Sequence, residues 1–154
     1  MVRLISALIL VLLIATPTLG QQSLVGTYKL VSLVIEVDGT PSQHLGKAPR
    51  GYLVFTPTRY VHFITGENRK SGTSVDDKAA LFDSLTAYAG TYRVEGDKLF
   101  MTYEVSWIES MVGSTSPETF QLSGNRLTYT LGPVPFPRDR SKKMIRRAVW
   151  DKIE

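Results

Sequence analysis

Gly26-Thr27-Tyr28-Lys29-Leu30 and Gly90-Thr91-Tyr92-Arg93-Val94 are one strand opener written twice in a chain of 154 residues. Each begins with glycine and continues with β-branched and aromatic residues set between polar ones, the pattern of a half-buried strand. Outward from these two stretches the same grammar repeats, and after residue 24 the chain is a succession of short strands cut apart by turn residues. A long antiparallel meander with little else to pack on must stack two sheets or close on itself. A closed one leaves an interior large enough for a small ligand.

The individual elements follow from composition. Val25 to Val37 predicts a long first strand ending at the turn Asp38-Gly39, and Thr40 to Arg50, with Pro41, Gly46 and Pro49, predicts a loop. Gly51 to Thr56 and Tyr60 to Thr65 predict a hairpin about Pro57-Thr58-Arg59, followed by a polar loop from Gly66 to Ser74. A helix is expected next, capped by Ser74 or Asp76 and carrying its apolar pattern through Leu85 and Tyr88 to a stop at Gly90. Its expected place is across one barrel end, as a plug. Strands resume at Thr91 to Val94, Lys98 to Trp107, Glu118 to Leu122 and Arg126 to Leu131, with Gly96 and Gly124 at turns that call for positive φ. Gly132 to Lys143 reads as a Pro-rich, basic loop, and Ile145 to Ile153 as the last strand. The sum is eight or nine strands in up-and-down order, an all-β antiparallel barrel with one short helix at an end.

The first twenty residues stand apart. Arg3, the apolar run Leu4 to Ala15 and the small residues of Thr18-Leu19-Gly20 form a secretory leader with a cut expected after Gly20. The run is shorter than the roughly 20 residues a spanning helix needs. A secreted or periplasmic protein is expected, with residues 21–154 as one barrel domain and no stable membrane span in it. The chain has no cysteine, so burial and sheet closure must hold that domain together. Of the formal net charge of +4, only Arg3 lies in the leader, and the small remainder points to no particular partner.

Four segments in this order resemble the lipocalin-like domain family, small bacterial and fungal proteins of the calycin type with a closed β-barrel. They are Leu24 to Ser32, Pro49 to Pro57, Tyr88 to Asp97 and Phe120 to Thr128, and the likeness extends to Val149-Trp150. Lipocalins proper open with Gly-X-Trp, where this chain has Tyr28. Where the family often carries a His-His-Val-Glu run, this chain has Met101-Thr102-Tyr103-Glu104. The resemblance implies that an Arg of the last strand, Arg147 or Arg146, packs over Tyr28 near Trp150 and closes the barrel. It also implies that Gly26 to Tyr28 offers that aromatic, while Gly90 to Tyr92 marks the exit from the helix. Some relatives of this fold are thought to be cyclases or isomerases, but both histidines of the run are missing here.

The residues themselves support a binding protein first: a barrel taking a small, mainly hydrophobic ligand against Phe55, Tyr60, Met101, Tyr103, Trp107 and Tyr129, oriented by His62 or Glu104. The loops Thr40 to Arg50 and Gly66 to Ser74 would frame the mouth. His62 alone reads as a core histidine before it reads as a ligand. Glu104 is the sole weak catalytic candidate, and strand parity sets it opposite Met101 and Tyr103, on the solvent face if those point inward. An isomerase or cyclase using Glu104, or a packed barrel acting through its surface, stay open as alternatives. Two histidines without cysteine predict no metal site, and no phosphate loop or nucleophile elbow predicts a cofactor. The basic run Arg138 to Arg147 lacks the interleaved aromatics of a nucleic-acid platform and reads as a solvated face.

Overall fold

The computed structural model describes residues 23–43 and 45–154. The expected leader and His44 therefore lie outside the described residues. Nine strands form one antiparallel sheet: β1 (Gly26–Val37), β2 (Thr40–Pro41), β3 (Arg50–Phe55), β4 (Arg59–Thr65), β5 (Leu85–Glu95), β6 (Lys98–Ser106), β7 (Thr115–Ser123), β8 (Arg126–Phe136) and β9 (Asp139–Lys152). Each of β3 to β8 pairs with the next in sequence, and β1 pairs with both β3 and β9, so eight strands close a barrel. The two-residue β2 hangs on β1 outside it. Closure removes the exposed strand edges that an open meander would leave.

The two barrel ends differ, and the difference places the cavity. At one end the connections are tight: Phe55 to Arg59, Glu95 to Lys98 and Ser123 to Arg126, with Gly96 and Gly124 at φ +60° and +57° as their turns require. Leu24 closes this end from inside, fully buried, its carbonyl accepting a hydrogen bond from the Tyr28 hydroxyl at 3.0 Å. Above it Phe55 meets Tyr28 and Tyr92 edge-on, at 6.1 and 4.7 Å between centroids. Such edge-to-face contacts fill volume without voids and stabilise beyond their area burial. At the other end lie the long connection from β1 to β3, residues 66–84 with helix α1 (Val75–Asp83), residues 107–114 and the tip of the extended β8–β9 hairpin, whose own turn is only Pro137 and Arg138.

Three sequence expectations change. The helix is shorter than predicted and ends at Asp83. Ser74 caps it, its hydroxyl accepting from the Asp77 amide while the Asp77 carboxylate accepts from the Ser74 amide. Leu85 and Tyr88, expected on the helix, belong to β5, where cross-strand pairing with β4 overrides helical spacing. None of the helix residues is buried, so α1 flanks the open end rather than plugging it.

Gly90 is likewise mid-strand and not a helix exit. It lies beside a β-bulge, where the pairing steps from Ala89↔Val105 to Gly90↔Tyr103 and skips Glu104. A Cβ at residue 90 would stand 1.8 Å from the Thr102 carbonyl oxygen, so only glycine admits this approach of β6.

The expected loop Gly132 to Lys143 is mostly strand. Pro133 and Pro135 fit because β7 pairs with β8 only as far as Leu131, and beyond it β8 needs no donor on that side. Register shifts between Leu131 and Val134 and between Pro135 and Phe136 absorb the remainder.

Candidate functional site

Inside the barrel, alternation sorts the strands. Met144, Arg146, Ala148 and Trp150 of β9 point in, as do Tyr60, His62 and Ile64 of β4 and Tyr88, Tyr92 and Val94 of β5. The half nearest the tight turns is filled by side chains. The half nearest the long connections holds a cavity of about 340 Å³, within the range of small-molecule pockets. Its walls are mainly apolar, with Leu33, Ile35, Ile64, Leu131, Val134 and Met144 among them. It reaches the surface between Trp107–Met111 and the β8–β9 hairpin.

The floor is polar and deeply buried. Arg146, 6% exposed, and His62, 1%, line it, and Glu118, 0% exposed, lies behind Arg146 outside the lining. One guanidinium nitrogen of Arg146 donates to the Tyr88 hydroxyl at 2.6 Å and the other to Glu118 Oε1 at 2.5 Å. The Tyr88 hydroxyl lies 3.3 Å from His62 Nε2, and the two rings stack at 4.2 Å. Tyr103 closes the side, edge-on to Tyr88 and hydrogen-bonded to Ser116 at 2.8 Å. Below, Trp150 meets both His62 and Tyr129.

Electrostatics follow from this packing. Burial raises the Glu118 carboxyl above the ordinary range, and the Arg146 charge partly counters it. Burial works against the Arg146 charge, but Glu118 together with Tyr88, Tyr129 and Tyr103 more than offsets it, holding the guanidinium protonated. Burial and then the Arg146 charge push His62 well below its ordinary value, so its imidazole is neutral. His62 Nδ1, Arg146 Nε, Glu118 Oε2, the Tyr129 hydroxyl and Trp150 Nε1 are sealed within this packing and have no hydrogen-bond partner among the described residues. Such orphaned atoms are costly to bury.

At the rim, Arg138 donates to the carboxylate and the carbonyl of Asp83 at the end of α1, and stacks 4.7 Å over Trp107. Trp107 also meets Phe82 of α1 at 5.0 Å. The helix is therefore pinned beside the mouth through Arg138. The loops before β3 and after β4 clasp one another at the same end, Glu67 accepting from the amides of Lys47 and Ala48 at 3.0 Å each, but they do not line the cavity.

The model of the lipocalin-like domain family matches residues 25–153. The chain belongs to this family. Among curated proteins none matches it.

In this lipocalin-like barrel the sequence candidates fall into three places. His62, Tyr103 and Trp107 line the cavity. Phe55, Tyr60, Met101 and Tyr129 are interior but packed into the filled half. Glu104 is not an interior acid: it lies at the bulge on the outer face, its side chain 42% exposed and paired with Arg59. The barrel latch also differs from the one the resemblance implied. Arg147 points outward and pairs with Glu36 at 2.8 Å, while Arg146 holds the floor. Over Tyr28 lies Lys152 instead, Nζ 5.9 Å from the ring centroid and donating to the Val25 carbonyl at 2.6 Å. Trp150 is fully buried, as a core residue would be.

Sequence reasoning missed Glu118, Tyr88 and Arg146 as a unit. A signal for Glu118 existed, since it shares strand parity with Ser116, Phe120 and Leu122, the partly buried positions of β7. Among the described residues no helix is long and apolar enough to cross a membrane, and no three His, Cys, Asp or Glu side chains gather into a metal site.

Proposed function

We propose that the chain is an exported lipocalin-like protein that binds a small, mainly hydrophobic molecule inside the barrel. One observation carries the reading: half of the interior is filled and half is an apolar-walled cavity ending on a buried Arg–Tyr–His floor, with Glu118 behind Arg146. A barrel needed only as scaffold can fill its whole interior with side chains. The leader pattern Arg3, Leu4 to Ala15 and Gly20 supports export with cleavage after Gly20. The isomerase or cyclase alternative rested on Glu104, and an outer-face carboxylate paired with Arg59 serves no reaction in the cavity.

The test is a titration of the mature chain with N-phenyl-naphthylamine, a neutral dye that brightens in apolar surroundings. The expected result is saturable binding with one site, displaced by hydrophobic compounds. Absence of saturable binding contradicts the reading.

A further inference from the structure

Two opposite charges sit at the cavity floor, Arg146 on its lining and Glu118 behind it. Arg146 contributes one positive unit and Glu118 one negative unit, in direct contact at 2.5 Å and both almost without exposure. His62, pushed to its neutral form, adds none. The other polar groups within reach, Tyr88, Tyr103 and Ser116, are uncharged hydroxyls. The floor is therefore already balanced before any ligand enters.

Balance decides what can rest on it. A carboxylate or phosphate set against this floor would leave one uncompensated negative charge where water is excluded, and such charges are strongly disfavoured. The floor also asks for no further bond: both terminal nitrogens of Arg146 are taken, by Tyr88 and Glu118, and Arg146 Nε and His62 Nδ1 are sealed from the cavity. A neutral, apolar group can therefore rest on it without stranding a charge.

We infer that the ligand is an uncharged molecule with an apolar body, and that Glu118, by neutralising Arg146, is the residue that excludes free acids. The inference rests on the interior-binding reading proposed above and narrows it to a ligand class. Glu118 acts through Arg146 and is a specificity residue that need not touch the ligand.

Arg140 stands exposed at the rim and lines the cavity mouth. A carboxylate could dock on it head-outward without meeting the floor, so the comparison is made in Arg140→Gln. Methyl octyl ketone and decanoate, with the same ten carbons, compete with N-phenyl-naphthylamine at pH 8. The ketone is expected to displace the dye at a concentration at least about tenfold lower than decanoate, the scale of one unpaired group. Adding Glu118→Gln is expected to bring decanoate to or below the ketone by freeing the Arg146 charge. Decanoate binding as tightly as the ketone with Glu118 present overturns the inference and leaves interior binding intact. A folded Glu118→Gln chain, by its circular dichroism, that still rejects decanoate also overturns it. If that chain does not fold, the comparison in Arg140→Gln alone decides. Failure of the dye itself to bind removes the interior-binding reading, and this inference with it.

Discussion

Arg146 and Glu118 meet inside the barrel from β9 and β7, the two strands that flank β8, with Nη2 2.5 Å from Oε1, Glu118 fully buried and the Arg146 side chain 8% exposed. Removing one partner of such a buried pair costs about 3–5 kcal/mol, because the other is stranded. The two halves are not equivalent. A stranded Glu118 can take up a proton, since burial already raises its carboxyl, whereas a stranded guanidinium cannot lose one. Urea unfolding at pH 7 is therefore expected to show Glu118→Leu as the costlier change and Arg146→Met as the milder one. The double variant should lose less than the two single losses together. Equal costs for the two single variants would mean that the pair is not sealed from water.

His62 gives a pH dependence with a definite sign. Its folded-state value lies well below the unfolded one of about 6.5, so below that pH the unfolded chain binds a proton that the folded chain refuses. Stability should fall as pH drops from about 7.5 to 5, by up to about 1.4 kcal/mol per pH unit for one proton. Glu118, raised by burial, contributes the opposite sign in its own range, because stability is lost as pH rises toward its folded value. The difference between the parent chain and His62→Gln isolates the histidine. An unchanged slope in His62→Gln would place this imidazole in contact with water.

The bulge at Gly90 sets a steric prediction. A methyl group there meets the Thr102 carbonyl oxygen, which is backbone and cannot step aside. Gly90→Ala should cost about 3 kcal/mol or more in thermal unfolding, at the upper end of overpacking losses. Gly96→Ala is the control: its φ is +60°, nothing stands within 4 Å, and only the left-handed backbone penalty of about 1–2 kcal/mol applies. A milder effect at residue 90 than at residue 96 would contradict the bulge.

Glu104 supplies a prediction of little change. An exposed ion pair with Arg59 stabilises by about 0–1 kcal/mol and lies on the other side of the sheet from the cavity. Glu104→Gln should leave dye affinity within a factor of about two, a shift of about 0.4 kcal/mol. A large loss of affinity would return this carboxylate to the interior.

The strand grammar made the barrel legible, and the site only in part. Alternation holds in β4 and β6, with His62 and Tyr103 inward and Glu104 outward, but in the sequence it separated the two faces of β6 without deciding which one is inside. Three local effects were hidden. Leu85 and Tyr88 have helical spacing from Ala80 and Leu81, and only pairing with Thr65 and His62 makes them strand. Prolines at 133 and 135 read as loop because the unpaired side of β8 beyond Leu131 is a fact of topology, not of sequence. Adjacent Arg146 and Arg147 look alike, yet one residue of register sends the first to Glu118 inside and the second to Glu36 outside. Parity with Met144 and Ala148 identifies Arg146 as the inward one, but its partner on β7 is 28 residues away and appears only in three dimensions.

The central claim is that the ligand occupies the hollow half of the barrel, and a matched pair of ring insertions tests it most directly. Thr86 lines the cavity, while its neighbour Ala87 lies on the opposite face of β5, paired with Phe63. Thr86→Phe fills the cavity and Ala87→Phe adds the same ring outside. Titration of both with N-phenyl-naphthylamine should show binding reduced at least about tenfold, or about 1.4 kcal/mol, in Thr86→Phe and unchanged in Ala87→Phe. Equal affinity in the two variants would place the ligand somewhere other than the barrel interior.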